Sequence, residues 1–312
     1  MRGKQIIAFI VTVLLSLVGI EVILRAWSYP YNGCREMDET PEYTIGRYDS
    51  HLGWSYTPSH SVVFWDNKTY TFNKEGYRSG SVSDVTDFSK PRILIVGDSF
   101  LFGHGLDFDD TFGAKLERQL GNRYEVLNFA VQGYGLDQAY LRLQQLMPVY
   151  TPVHVIVDIH EDQDYRNANR DRRFFFPCSR ITGTKPLFTM QGDQLVLSFY
   201  PEQYETYDTP RIRLVWRRFE DAMRQRSHGL IALSGRIYED MKKYVEGRGA
   251  ELLEINYLLA VRDYQIDPRS SSAAAIVVDY GKEYVVDDVH PNASATTRMV
   301  EEFLVRFGAQ LK

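Results

Sequence analysis

The chain has 312 residues, 44% hydrophobic and 25% charged, enough apolar material for one substantial core and a composition that excludes global disorder. A formal net charge of −5 without a long Lys/Arg run argues against a nucleic-acid partner, because neutralising phosphates needs a positive stripe. The seven histidines and two cysteines include no His-x-x-x-His or Cys-x-x-Cys pair, so no dedicated metal site is expected.

The first element is an apolar run from Ile6 to Leu24, interrupted chiefly by Thr12, Ser16, Gly19 and Glu21. At helical rise it spans about 28 Å, enough to cross a bilayer once. Arg2 and Lys4 precede it, which favours a cytoplasmic amino end and export of the rest of the chain to the periplasmic or extracellular side. A cleaved signal peptide is the competing reading, with Ala26-Trp27-Ser28 as its cleavage site. The length of the run favours a retained anchor over residues 1–28. In an exported protein Cys34 and Cys178 either form one disulfide or stay two unrelated thiols, and sequence separation does not decide between them.

Residues 29–90 are rich in Tyr, Ser, Asp and Gly and carry the runs Leu52-Gly53-Trp54-Ser55-Tyr56-Thr57-Pro58 and Val62-Val63-Phe64-Trp65, separated by turn formers, which predicts a β-rich extension. Its aromatics either stack on sugars or pack a small sheet against the main domain, and the second is expected. From residue 91 apolar strands alternate with amphipathic helices, the pattern of a parallel sheet covered on both faces. Strands are predicted at Ile93–Val96, Val153–His160 and Glu251–Ile255. Helices are predicted from Asp109 to Gly121, from Leu136 to Met147, through Arg211–Gly247 and over Ala293–Phe307, with an irregular insertion at 168–210.

Two segments carry chemistry. Gly97-Asp98-Ser99-Phe100 puts a serine at the carboxyl end of the first of these strands, where α/β folds keep their reactive groups. A serine hydroxyl needs a base, usually a histidine oriented by a carboxylate, and Asp287-Asp288-Val289-His290 near the carboxyl terminus supplies both. His104 is read as steadying the turn after the serine loop. Arg170, Arg172 and Arg173 are either a grip for an anionic substrate or an ordinary solvated face.

Together the blocks resemble the SGNH hydrolases, also called GDSL esterases and lipases, which open on Gly-Asp-Ser and close on Asp-x-x-His. Val126-Leu127-Asn128-Phe129-Ala130-Val131-Gln132-Gly133-Tyr134-Gly135 is similar to their second block, and Gln163-Asp164 stands where they usually carry Asn-Asp. The resemblance implies a three-layer α/β/α, flavodoxin-like hydrolase domain over residues 91–312, with Ser99 as nucleophile, His290 as base and Asp287 as orienting carboxylate in preference to Asp288. It also implies an oxyanion hole made by the backbone N–H groups of Ser99 and Gly133 and by the side chain at 163, and no cofactor. Gln163 either donates its amide N–H, as the family's asparagine does, or is a polar loop residue beside a hole of two backbone donors. The expected activity is hydrolysis of acyl esters, O-acetyl above all, on an extracytoplasmic glycan or lipid. Acyl transfer to an envelope polysaccharide is the first alternative and a catalytically idle binding or scaffold module the second.

Overall fold

The structure, a computed structural model, describes residues 2–27, 46–63, 67–121, 123–160, 162–172, 183–203, 210–227, 229–258, 275–279 and 290–311. In chain order the helices are α1 (Arg2–Ala26), α2 (Ser99–Phe102), α3 (Phe112–Gln119), α4 (Leu136–Tyr150), α5 (Asp162–Asn167), α6 (Arg211–Ser227), α7 (Leu230–Glu246) and α8 (Ala293–Phe307). The strands are β1 (Gly46–Asp49), β2 (Gly53–Tyr56), β3 (His60–Val63), β4 (Thr69–Phe72), β5 (Arg92–Val96), β6 (Glu125–Asn128), β7 (His154–Ile159), β8 (Leu187–Gln191), β9 (Gln194–Phe199), β10 (Glu251–Leu258) and β11 (Ala275–Asp279).

The central sheet is parallel and five-stranded, in the order β11-β10-β7-β5-β6. Counted along the chain this is 2-1-3-4-5 read from the β6 edge, the flavodoxin-like order expected above, in which the connection reverses direction between β5 and β7. Alternation along the strands explains the three layers. Ile93 and Ile95 of β5 join a core with Phe112 and Leu116 of α3 and Met299 and Phe303 of α8. Leu94 and Val96 join the opposite core with Leu143 of α4 and Ile237 and Met241 of α7.

The β1–β2 and β3–β4 pairs are antiparallel hairpins, and their aromatics lie inside the first of these cores rather than on the surface. Tyr56 stacks on Phe72 at 4.2 Å, and Tyr70 meets Phe102 edge-on at 5.1 Å. Arg78 is buried over both Tyr70 and Phe102, 4.5 Å from each ring.

Several expectations change in detail. The single helix foreseen at Arg211–Gly247 is two, α6 and α7, because Gly229 starts a new helix. Pro148 lies inside α4, whose last turn continues to Tyr150. The 168–210 insertion contains a hairpin, β8–β9. The parallel edge strand β11 was not foreseen. Cys34 and Cys178, whose pairing the sequence leaves open, lie outside the described residues. α1 is long and apolar enough to cross a membrane, and almost all of it is exposed.

Candidate active site

β5 ends at Val96 and the chain turns sharply through Gly97, at φ +153°. A Cβ at Gly97 would fall 1.9 Å from Asp158 Oδ1, so the close approach of the two strand ends requires glycine. Asp98 then caps α2: its Oδ1 accepts the Phe100 N–H at 2.9 Å. Ser99, first residue of α2, is thereby presented at the carboxyl end of β5, beside the crevice between β5 and β7 where the strand order reverses.

The partner arrives from the other end of the chain. His290 precedes α8, whose first turn is capped by Asn292 accepting from the Ser294 and Ala295 N–H groups, both at 3.0 Å. Lys115 of α3 donates to the Ala293 carbonyl at 2.6 Å and so ties this turn to the helix beneath. The result is a hydrogen bond of 2.8 Å between Ser99 Oγ and His290 Nε2, across 191 residues of sequence. Asp287 and Asp288 lie outside the described residues.

The second loop runs alongside. Beyond β6, Phe129 and Val131 continue the pairing by donating to the Ile95 and Gly97 carbonyls, which draws residues 132–135 up to Ser99. Gly133 sits at φ +81°, and its carbonyl accepts from Arg172 Nη1 at 2.9 Å. The guanidinium is packed so closely that a Cβ there would lie 2.7 Å from Arg172 Cζ. The β2 hairpin strand holds the same loop: Trp54 Nε1 donates to the Gln132 carbonyl at 3.1 Å, and the Gln132 N–H donates to Tyr56 Oη at 3.0 Å. Arg78 steadies the serine loop by donating to the carbonyls of Phe102 at 2.7 Å, Gly103 at 2.6 Å and Leu106.

Behind the serine lies a buried ionic group. Asp98 Oδ2 accepts from His160 Nε2 at 2.6 Å and from Arg166, and the Asp98 N–H donates to Asp158 Oδ1 at 3.2 Å. Burial pushes the Asp158 carboxyl well above its ordinary range, and the neighbouring Asp98 adds to the effect. For Asp98, burial is outweighed by the charges of His160 and Arg166, which hold it well below that range. Of the two, Asp98 is therefore the more readily ionised and Asp158 the one that holds its proton to higher pH. These two carboxyls with His160 form a group of the kind that ligates metals, but Asp98 Oδ2 is already committed to His160 and Arg166.

Gln163, buried in α5, donates from Nε2 to the Asp158 carbonyl at 3.2 Å, which turns one amide hydrogen back onto the end of β7. Arg170 is no substrate grip: it is buried in ion pairs with Asp221 at 2.8 Å and Glu220 at 2.7 Å. His104 does more than steady a turn. Its ring lies 4.5 Å from that of His290, and Nδ1 accepts from the Gln132 amide nitrogen at 2.5 Å. Sequence reasoning missed the Asp158–His160 pair, whose signal was two titratable residues two apart in an apolar strand, hence on one face of it.

No protein-family model matches the chain, and no curated protein does. Among solved structures it is similar to an esterase, EstA from Pseudoalteromonas sp., at 12% identity and a TM-score of 0.43, covering 71% of this chain and 99% of that one. TesA shares 16% identity at a TM-score of 0.40, covering 71% of this chain and 99% of that one. A catalytic mutant of Axe2, an acetylxylan esterase from Geobacillus stearothermophilus, shares 11% identity at 0.41, covering 70% and 94%. Likeness at this level carries no argument about chemistry, which rests on the geometry of the site.

Proposed function

We propose that this chain is a serine esterase of the SGNH type, and the observation that carries the reading is the 2.8 Å hydrogen bond from Ser99 Oγ to His290 Nε2 at the topological switch point. Ser99 attacks an ester carbonyl as His290 takes its proton. Asp287, three residues before His290, holds the imidazole in the tautomer that leaves Nε2 free to accept. The Ser99 and Gly133 N–H groups, with the second amide hydrogen of Gln163, receive the oxyanion. The alcohol leaves with the proton from His290, and water, activated by the same base, releases the acyl enzyme. The proposed substrate carries a short acyl group, of which acetyl is the simplest.

The membrane reading belongs with this one. α1 crosses the bilayer as a signal anchor, Arg2 and Lys4 keep its start in the cytoplasm, and the enzyme faces an extracytoplasmic acylated glycan or lipid. Full-length protein is expected to hydrolyse a short acyl ester, with Ser99→Ala and His290→Ala each losing at least about 10³-fold while melting as the wild type does. A folded Ser99→Ala protein that keeps its turnover overturns the assignment. Adding an oligosaccharide acceptor to the same assay reports transfer, which appears as acetylated sugar at the expense of free acid.

A further inference from the structure

α6 carries an apolar face that nothing in the described chain covers. At about 100° per residue, Ile212, Val215, Trp216, Phe219 and Met223 fall within roughly one third of the helix circumference. Trp216 is 61% exposed, Phe219 54%, Met223 48% and Val215 39%, whereas Leu214 and Asp221 on the opposite side are buried. Trp216 and Phe219 are adjacent, their rings 5.7 Å apart, so the exposed area is continuous. Arg218 flanks the arc on one side, and Glu220 followed by Arg213 on the other.

The position of this face identifies what covers it. Glu21 lies near the exit end of α1, and its two carboxylate oxygens accept the first N–H groups of α6, from Arg211 and Ile212, each at 3.0 Å. Arg25 also donates to Glu21, at 2.6 Å. A carboxylate at the edge of a bilayer must be satisfied, and the positive end of a seventeen-residue helix satisfies it. That bond fixes the start of α6 at the boundary where α1 leaves the membrane. An apolar arc with a tryptophan and flanking arginines is what a helix lying in the headgroup layer presents.

We infer that α6 lies on the surface of the membrane that α1 crosses, with Val215, Trp216, Phe219 and Met223 seated among the lipids and Arg213 and Arg218 at the phosphate level. The inference rests on the membrane-crossing reading of α1. It holds the enzyme against the bilayer at two points, and the Arg170–Asp221 pair fixes α6 to the segment carrying Arg172 at the oxyanion loop. The active site then works at a constant height and orientation above the lipid, on substrates presented at the membrane surface.

The test is fluorescence quenching of the full-length protein in vesicles of phosphatidylcholine brominated at acyl positions near the headgroup, against unbrominated vesicles. The Trp216 emission is the difference between the wild type and Trp216→Phe, a change on an exposed face that leaves the core untouched. It is expected to fall by more than about half, as for a ring sunk some 5–10 Å into the leaflet. Protein that floats with the vesicles while its Trp216 emission is unchanged overturns the inference and leaves the anchor standing, and a second copy or another protein would then be what covers α6. Protein that does not float with the vesicles overturns both.

Discussion

The two strand ends that frame the site are held in opposite ways. The β5 side, with the serine loop and the adjoining 132–135 loop, is held mainly through backbone groups: Arg78 on three carbonyls, Arg172 on the Gly133 carbonyl and Arg166 on the Tyr134 carbonyl, both at 2.9 Å, Trp54 and Tyr56 on the backbone of Gln132, and Tyr70 on the Gly105 N–H at 2.8 Å. The β7 side is held by buried charge, with Asp98, Asp158, His160 and Arg166 sharing protons and ion pairs within a few ångströms. The first kind of support reaches the catalytic loops mainly from residues far upstream and is indifferent to pH. The second is local and responds to protons. The N-terminal hairpins and Arg78 thus buttress the loops around Ser99.

The sharpest way to separate the two sides is Gln163, which sits on the charged side and is proposed to reach the reaction. Gln163→Ala is expected to lower kcat by about 10²- to 10³-fold, or about 3 to 4 kcal/mol, with little change in KM, because the lost donor acts mainly on the developing oxyanion. Gln163→Asn is expected to retain much of the rate. If Gln163 serves only to bond the Asp158 carbonyl, steady-state kinetics will show Gln163→Ala within about threefold of the wild type, an effect of ordinary size for a residue away from the chemistry.

On the buttress side Arg78→Met is expected to have the largest structural effect. It strands the carbonyls of Phe102, Gly103 and Leu106 in a buried place and should cost about 3 kcal/mol or more in urea unfolding. The loss should be nearly the same at pH 5 and pH 8.

Asp158→Asn should show the opposite dependence. With its folded pKa raised, Asp158 contributes stability that is complete below about pH 3.9 and lost as pH rises through the folded value, whereas Asp98, with its pKa depressed, loses its contribution only as pH falls through a value below that. The asparagine keeps the acceptor for the Asp98 N–H and removes the titration. Urea midpoints should therefore show the variant gaining on the wild type between pH 5 and pH 8, by at most about 1.4 kcal/mol per pH unit. A constant difference across that range contradicts an Asp158 pKa raised into it.

The smallest effect is expected from Trp54→Phe, which keeps the ring in the core and removes one hydrogen bond to Gln132, for about 1 kcal/mol of stability and a change in kcat of a few-fold.

Local chemistry was legible in the sequence where it is written in adjacent residues. Gly97-Asp98-Ser99 pointed to Ser99 because it puts a serine at the carboxyl end of an apolar run, and the alternating strands and helices announced a covered parallel sheet. His290 was legible by its distance from a carboxylate and a following helix. What was hidden depends on contacts between distant segments. Arg170 looked like surface because nothing nearby in sequence announces Asp221, and the buttressing role of Arg78 exists only once the hairpins fold onto α2. The edge strand β11 is five residues preceded by Ala273 and Ala274, which suit a helix as well as a strand. The break at Gly229 was overridden by apolar spacing that continues on both sides of it.

The pairing of Ser99 with His290 is tested most directly by labelling the full-length protein with a serine-directed fluorophosphonate and locating the adduct by mass spectrometry. The phosphonyl group is expected on Ser99 alone, absent from Ser99→Ala, and at least about 10³-fold slower to form in His290→Ala. Folded wild-type protein that carries no adduct, or carries it on another serine, contradicts Ser99 as the activated nucleophile.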